Sequence, residues 1–163
     1  MTPRVFLCEP SGLNVRQRSL SDRWHERLFG LGFDIEQLRR HNYRPEPWNG
    51  LLNYMGTSHG VLVLGFAQLV ATRATWRGGS PEEQQLAATW TSPWLQIEAG
   101  MAVASGLPVL VAPEPQVSEG IFAADSWRGP IHGTRLETPE ASVIDTWATA
   151  VSRRADAALS TFS

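Results

Sequence analysis

The stretch Gly60-Val61-Leu62-Val63-Leu64-Gly65-Phe66 decides how the rest of the chain is read. Its branched apolar residues follow one another without a polar partner, so both faces must be covered by protein. That pattern belongs to a strand inside a parallel sheet rather than one with a wet face. Two shorter runs repeat it: Arg4-Val-Phe-Leu-Cys8 upstream and Pro108-Val-Leu-Val-Ala112 downstream. Phe33-Asp-Ile-Glu-Gln-Leu38 alternates apolar with polar residues, as an outer strand does, and Ile131 to Leu136 suits a fifth, edge strand.

Helical patterns separate these runs. Leu20, Trp24, Leu28 and Leu31 recur at helical spacing, with Ser19 and Asp22 as a capping pair and Gly30 and Gly32 as the stop. Trp48 to Met55 reads as a short helix. Ser92-Pro93 is a strong start signal, a cap residue followed by proline at the first helical position, for a helix running to about Ser105. Thr138-Pro139-Glu140 opens a final amphipathic helix, about 139–162, with Ile144, Trp147, Val151 and Ala155 on its apolar stripe. The segment 67–91 is an insertion, with a short helix expected over Pro81 to Ala88. Strands alternating with helices imply an α/β fold: one domain over 1–163, a parallel sheet of four to five strands, helices on both faces. Ligands of such folds bind beyond the C-terminal ends of the strands. Four segments meet there: 9–14, 39–48, 66–92 and 113–120.

Composition narrows the chemistry. At 163 residues, 42% hydrophobic and 18% charged, the chain can bury a core without staples. All 14 basic residues are arginine, so no lysine can form a Schiff base or serve a P-loop. A net charge of −2 argues against a dedicated nucleic-acid binder. The single cysteine, Cys8, excludes an intrachain disulfide and a multi-cysteine metal site, and is expected to be a small core residue. The four histidines, at 25, 41, 59 and 132, have no metal-ligand spacing, although His41 or His59 could assist acid–base work. No apolar run reaches the roughly 18 residues of a membrane span. No signal-peptide pattern precedes the first strand, so a cytoplasmic protein is expected.

The chemically richest segment is Ser92-Pro-Trp-Leu-Gln-Ile-Glu-Ala-Gly-Met-Ala102. Trp94 and Glu98 lie four apart and share a helix face at the functional edge of the sheet. Ile97, Met101 and Ala104 form a separate stripe, expected to face the sheet. Ala99, Gly100 and Ala102 are expected to leave room for a substrate. A carboxylate beside an indole suits sugar chemistry: it can accept hydrogen bonds from hydroxyls, or stabilise or trap the cationic carbon left when a glycosidic bond breaks. Around it, Ser11 and Gly12 could offer backbone donors. Arg44, with Arg39 and Arg40 in the loop after the second strand and Arg16 and Arg18 after the first, could meet phosphate. Gly65 permits close approach, Phe66 could stack on a base, and Trp48 is a second aromatic wall. Trp24 and Trp147 belong to the core, and Trp76 and Trp90 anchor the insertion.

Ser92, Trp94 and Glu98 resemble the S-x-W-x-x-x-E element of Toll/interleukin-1-receptor (TIR) domains, and the order of elements resembles that family over roughly the first 112 residues. The resemblance implies a flavodoxin-like scaffold and an NAD nucleosidase or ADP-ribosyl cyclase with Glu98 catalytic. NAD is then substrate and no cofactor is required. It further implies a part in antiphage signalling, with room for a homo-oligomer. A non-catalytic adaptor or nucleotide-sensing module is also compatible with it. Glu98-Ala-Gly-Met-Ala102 followed by Gly106-Leu-Pro-Val109 resembles a second family, the nucleoside 2-deoxyribosyltransferases and related nucleotide N-glycosidases, in which the Glu is the nucleophile. That family carries Gly-Thr four and three residues before the Glu and an Asp upstream. Here Trp94, Leu95 and Ser92 stand instead, which favours the TIR reading. Both resemblances imply N-glycosidic chemistry at Glu98 on a small nucleotide substrate, without nucleic acid, metal or membrane.

Overall fold

A computed structural model describes residues 2–38 and 47–160. A parallel five-stranded sheet has the order β2-β1-β3-β6-β7, with β1 at Arg4–Cys8, β2 at Asp34–Glu36, β3 at Gly60–Gly65, β6 at Val109–Pro113 and β7 at Ile131–Gly133. Leu7 lies beside Leu62, and Val63 beside Val111, in the central register. Helices cover both faces, so the protein has a flavodoxin-like α/β fold.

Alternation along the three central strands sorts the core. Val5, Leu7, Leu62, Leu64 and Leu110 point to one face, against Leu20, Trp24 and Leu28 of α1 (Val15–Gly30) and Ile144, Trp147 and Val151 of α4 (Ala141–Ser160). Phe6, Cys8, Val61, Val63 and Val109 point to the other, against Leu51 and Met55 of α2 (Pro47–Thr57) and Leu95, Ala99 and Ala102 of α3 (Pro93–Ala104). Trp24 and Trp147 are core residues, as their stripes imply. Their indole N–H groups donate to Leu136 O at 3.0 Å and Pro108 O at 3.1 Å. At Gly60 a Cβ would sit 2.4 Å from Val151 Cγ2, so only glycine lets α4 come this close to β3.

Three local expectations are corrected. α1 starts at Val15, not near Ser19, because Asn14 and Gln17 form a reciprocal capping box: Asn14 Oδ1 accepts from Gln17 N at 2.9 Å, and Gln17 Oε1 from Asn14 N at 3.2 Å. Residues 81–88 hold no helix. The insertion is an antiparallel hairpin, β4 (Leu69–Trp76) with β5 (Gln84–Trp90), whose strands, among the described residues, pair only with each other. On α3, Ile97 is 38% exposed and Ala104 is exposed, while Leu95, Glu98, Ala99 and Ala102 form the buried face. Ala99 and Ala102 therefore let α3 lie close on the sheet rather than clear a path for a ligand, while Gly100 is exposed, with nothing within 4 Å of where a Cβ would stand. Among the described residues no helix is long and apolar enough to cross a membrane.

Candidate active site

The strand order reverses between β1 and β3, because the chain leaves β1 for one neighbour and returns on the other side. At the C-terminal end of β1, where such a reversal opens a crevice, lies a hollow of about 740 Å³. Leu7, Glu9, Pro10 and Ser11 line it from β1 and its exit. Arg18 lines it from α1, Gln37 and Leu38 from beyond β2, and Gln68 from beyond β3. Ser92, Trp94, Leu95 and Glu98 close it from α3.

Glu98 is the unusual group. The second turn of α3 carries it on the helix's buried face, where it is only 5% exposed, yet it opens on this hollow. Burial removes water from the carboxylate and raises its pKa from 4.5 to about 7, while a hydrogen bond from the Cys8 thiol holds it down somewhat. Burial raises the Cys8 thiol well above its ordinary value, with the charge of Glu98 adding to the shift. Cys8 thus remains the thiol donor and Glu98 its acceptor. A carboxyl that titrates near neutrality in a ligand-sized cavity is matched to nucleophilic or acid–base work.

Trp94 stands one turn before Glu98, and its ring lies 5.5 Å from that of Trp48, tilted by 40°. The two indoles form a wall beside the hollow, with Trp94 lining it. Ser92 occupies the cap position of α3, but its side chain makes no capping hydrogen bond; it too lines the hollow. Ser11 lines the hollow. Gly12 adjoins it, with Gln68 Oε1 3.7 Å from where a Cβ would stand.

Other sequence candidates lie elsewhere. Phe66 is 0% exposed, inside the α1–α4 side of the core, and has no surface for stacking on a base. Gly65 gives its open space to Phe122, whose ring would be 2.6 Å from a Cβ there, so its lack of a side chain serves packing. Arg16 is committed to Glu114 Oε1 at 2.7 Å and to Glu137, leaving Arg18 as the arginine of the described residues that lines the hollow. His59 precedes β3, at the opposite edge of the sheet, where its Nδ1 accepts from Arg4 N at 3.0 Å. It does not serve Glu98. Arg44, Arg39, Arg40 and His41 lie outside the described residues.

Sequence reasoning placed Glu9 in the crevice segment 9–14 but gave it no role of its own, and took Cys8 for packing alone. Position was the available signal: both end the first buried strand, at the edge where such folds bind ligands. It also missed the brace behind the site. Glu114, 2% exposed, accepts from Arg16, from Gln17 Nε2 at 3.2 Å and from Ala67 N at 2.7 Å. One carboxylate thereby ties the exits of β3 and β6 to the start of α1. Among the described residues no group of three or more His, Cys, Asp or Glu is placed to hold a metal.

No family model and no curated protein matches the chain. Among solved structures, the fold is similar to the 2-deoxyribosyltransferase of the psychrotolerant bacterium Bacillus psychrosaccharolyticus, with a TM-score of 0.51 and 12% identity over 86% of this chain and 95% of that one. A conserved protein of Enterococcus faecalis V583 aligns at a TM-score of 0.45 with 10% identity, over 94% of this chain and 99% of that one. At such identities the first likeness speaks for the fold alone. It falls on the second of the two resemblances, and the preference for a TIR domain finds no support in it.

Proposed function

We propose that the protein cleaves the N-glycosidic bond of a nucleoside or nucleotide and passes the sugar to water or to a second base. The observation that carries this reading is Glu98: a buried carboxyl titrating near pH 7, opening on a hollow at the reversal of the strand order, beside an indole. The fold likeness to a 2-deoxyribosyltransferase and the E-x-G-x-A pattern from Glu98 to Ala102 point the same way.

The steps follow from the residues. Trp94 holds the flat base or the sugar against the wall by stacking. The Glu98 carboxylate approaches the anomeric carbon as the bond to the base nitrogen breaks. The bonding pair leaves with the base, which takes up a proton. Poor solvation leaves the carboxylate reactive, and the positive charge developing on the sugar is the partner that burial denied it. A glycosyl ester on Glu98 results. Water or an incoming base then attacks the same carbon, regenerates the carboxylate and gives up a proton.

The test is chromatography of the purified protein with a panel of nucleosides, 2′-deoxynucleosides, their 5′-monophosphates and NAD, with and without a second free base. Base release by wild type and not by Glu98→Gln is expected. Exchange of bases identifies a transferase, and free sugar a hydrolase. Nicotinamide release with every nucleoside intact would replace this reading by the NAD-cleaving one. Equal turnover by wild type and Glu98→Gln would remove Glu98 from the chemistry.

A further inference from the structure

Glu9 follows Cys8 out of β1 and turns to the other side of the sheet. Its Oε2 accepts a 2.6 Å hydrogen bond from Ser21 Oγ of α1, and its Oε1 a 2.7 Å bond from Gln37 Nε2 beyond β2. Ser21 is buried, so that donor is itself fixed. Two donors from separate elements, one on each oxygen, set the plane of this carboxylate. Glu9 lines the hollow from the α1 side while Glu98 lines it from the α3 side.

A carboxylate has about four lone-pair positions, and its two donors among the described residues leave two for a ligand. Leu7 and Leu38 beside it keep the wall partly apolar, which strengthens any hydrogen bond made there. A group of this kind accepts only. It suits neutral donors and repels a phosphate, which offers further acceptors and negative charge.

We infer that Glu9 is a second substrate-binding carboxylate, accepting hydrogen bonds from a pair of neutral donors on the nucleoside. Two parts of a nucleoside supply such a pair: the adjacent N–H groups of a guanine-type edge and the vicinal hydroxyls of a ribose. The inference rests on the glycosidic reading of the site and names what that site selects. A mere cross-brace between β1, α1 and β2 would contribute equally to every substrate; a ligand-binding carboxylate does not.

The experiment compares wild type, Glu9→Gln, Gln37→Ala and Glu98→Gln in base release and in equilibrium binding by calorimetry. The ligands are guanosine, inosine (which lacks the 2-amino donor) and 2′-deoxyguanosine (which lacks one hydroxyl). Glu9→Gln is expected to raise KM and Kd by about tenfold or more for the ligand carrying the recognised pair, the usual loss for a charged hydrogen-bonding partner. Values for the ligand lacking one donor should stay near wild type. Lost discrimination between guanosine and inosine puts the pair on the base; between guanosine and deoxyguanosine, on the sugar. A loss uniform across ligands and matched by Gln37→Ala, or no change at all while Glu98→Gln is inactive, overturns the role of Glu9 alone. Full activity in Glu98→Gln, or neither binding nor turnover of any nucleoside by wild type, overturns the glycosidic reading itself.

Discussion

Replacing Glu98 by Gln should stabilise the protein, and should do so more strongly as pH rises. A carboxyl whose pKa is about 7 folded and 4.5 unfolded binds its proton more tightly in the folded chain. Its favourable contribution is complete below pH 4.5 and is lost as pH climbs through 7. Relative to Gln, which never ionises, wild type should therefore lose about 2–3 kcal/mol of stability between pH 5 and pH 8. Gln fills nearly the same volume and keeps an oxygen to accept from Cys8. Any fixed difference in packing cancels when the two pH values are compared, as does every contribution the two proteins share. For a chain of this length the change corresponds to a relative shift in Tm of about 5–10 °C. Urea unfolding of both proteins at pH 5, 6, 7 and 8 measures it. A stability difference independent of pH would show that Glu98 is not held poorly solvated, and with that the reason for its reactivity would go.

Three further outcomes follow from the same contacts. Cys8→Ala removes the hydrogen bond that favours the Glu98 carboxylate, so the acidic limb of the kcat/KM profile should move to higher pH; an unmoved limb with a lower plateau would make Cys8 a packing residue only. Gly65→Ala forces a methyl group into Phe122 and should cost about 1–3 kcal/mol, read as a lower urea midpoint, whereas a neutral result would mean that Phe122 has room to withdraw. Glu114→Ala strips three donors of their acceptor and should destabilise by about 2–3 kcal/mol in thermal melts; a change under about 0.5 kcal/mol would mean that water replaces it.

The sheet was legible because its inner strands are apolar without interruption: Val61 to Leu64 and Val109 to Ala112 admit no other placement. Helix starts were less so. Ser19 and Asp22 imitate a cap, but Asn14 and Gln17, closer to the strand, make the reciprocal bonds. The hairpin at 69–90 was hidden because no hydrophobic face orders it: Leu69 and Val70 are 57% and 66% exposed, and the pairing is held by backbone instead. Glu98 could be read from its neighbours along the helix, which are local. The Cys8 thiol that acts on its titration comes from 90 residues earlier in the chain, and no spacing records such a pairing. Phe66 misled for the reverse reason. It stands just past a strand end, where a ligand could lie, yet the turn drives its ring inward.

The hairpin bears on how this architecture can change. Gln68 N donates to Trp90 O at 2.8 Å, so the excursion closes on itself before α3 begins. Among the described residues neither of its strands joins the main sheet, and the pairing inside it is its own. It is in effect a cassette clipped at a closed neck. Its length and sequence can drift, or be exchanged at the bench, while the neck keeps Ser92, Trp94 and Glu98 in register with the sheet. Variation there would reshape the rim beyond Gln68 and leave the chemistry beneath it unchanged.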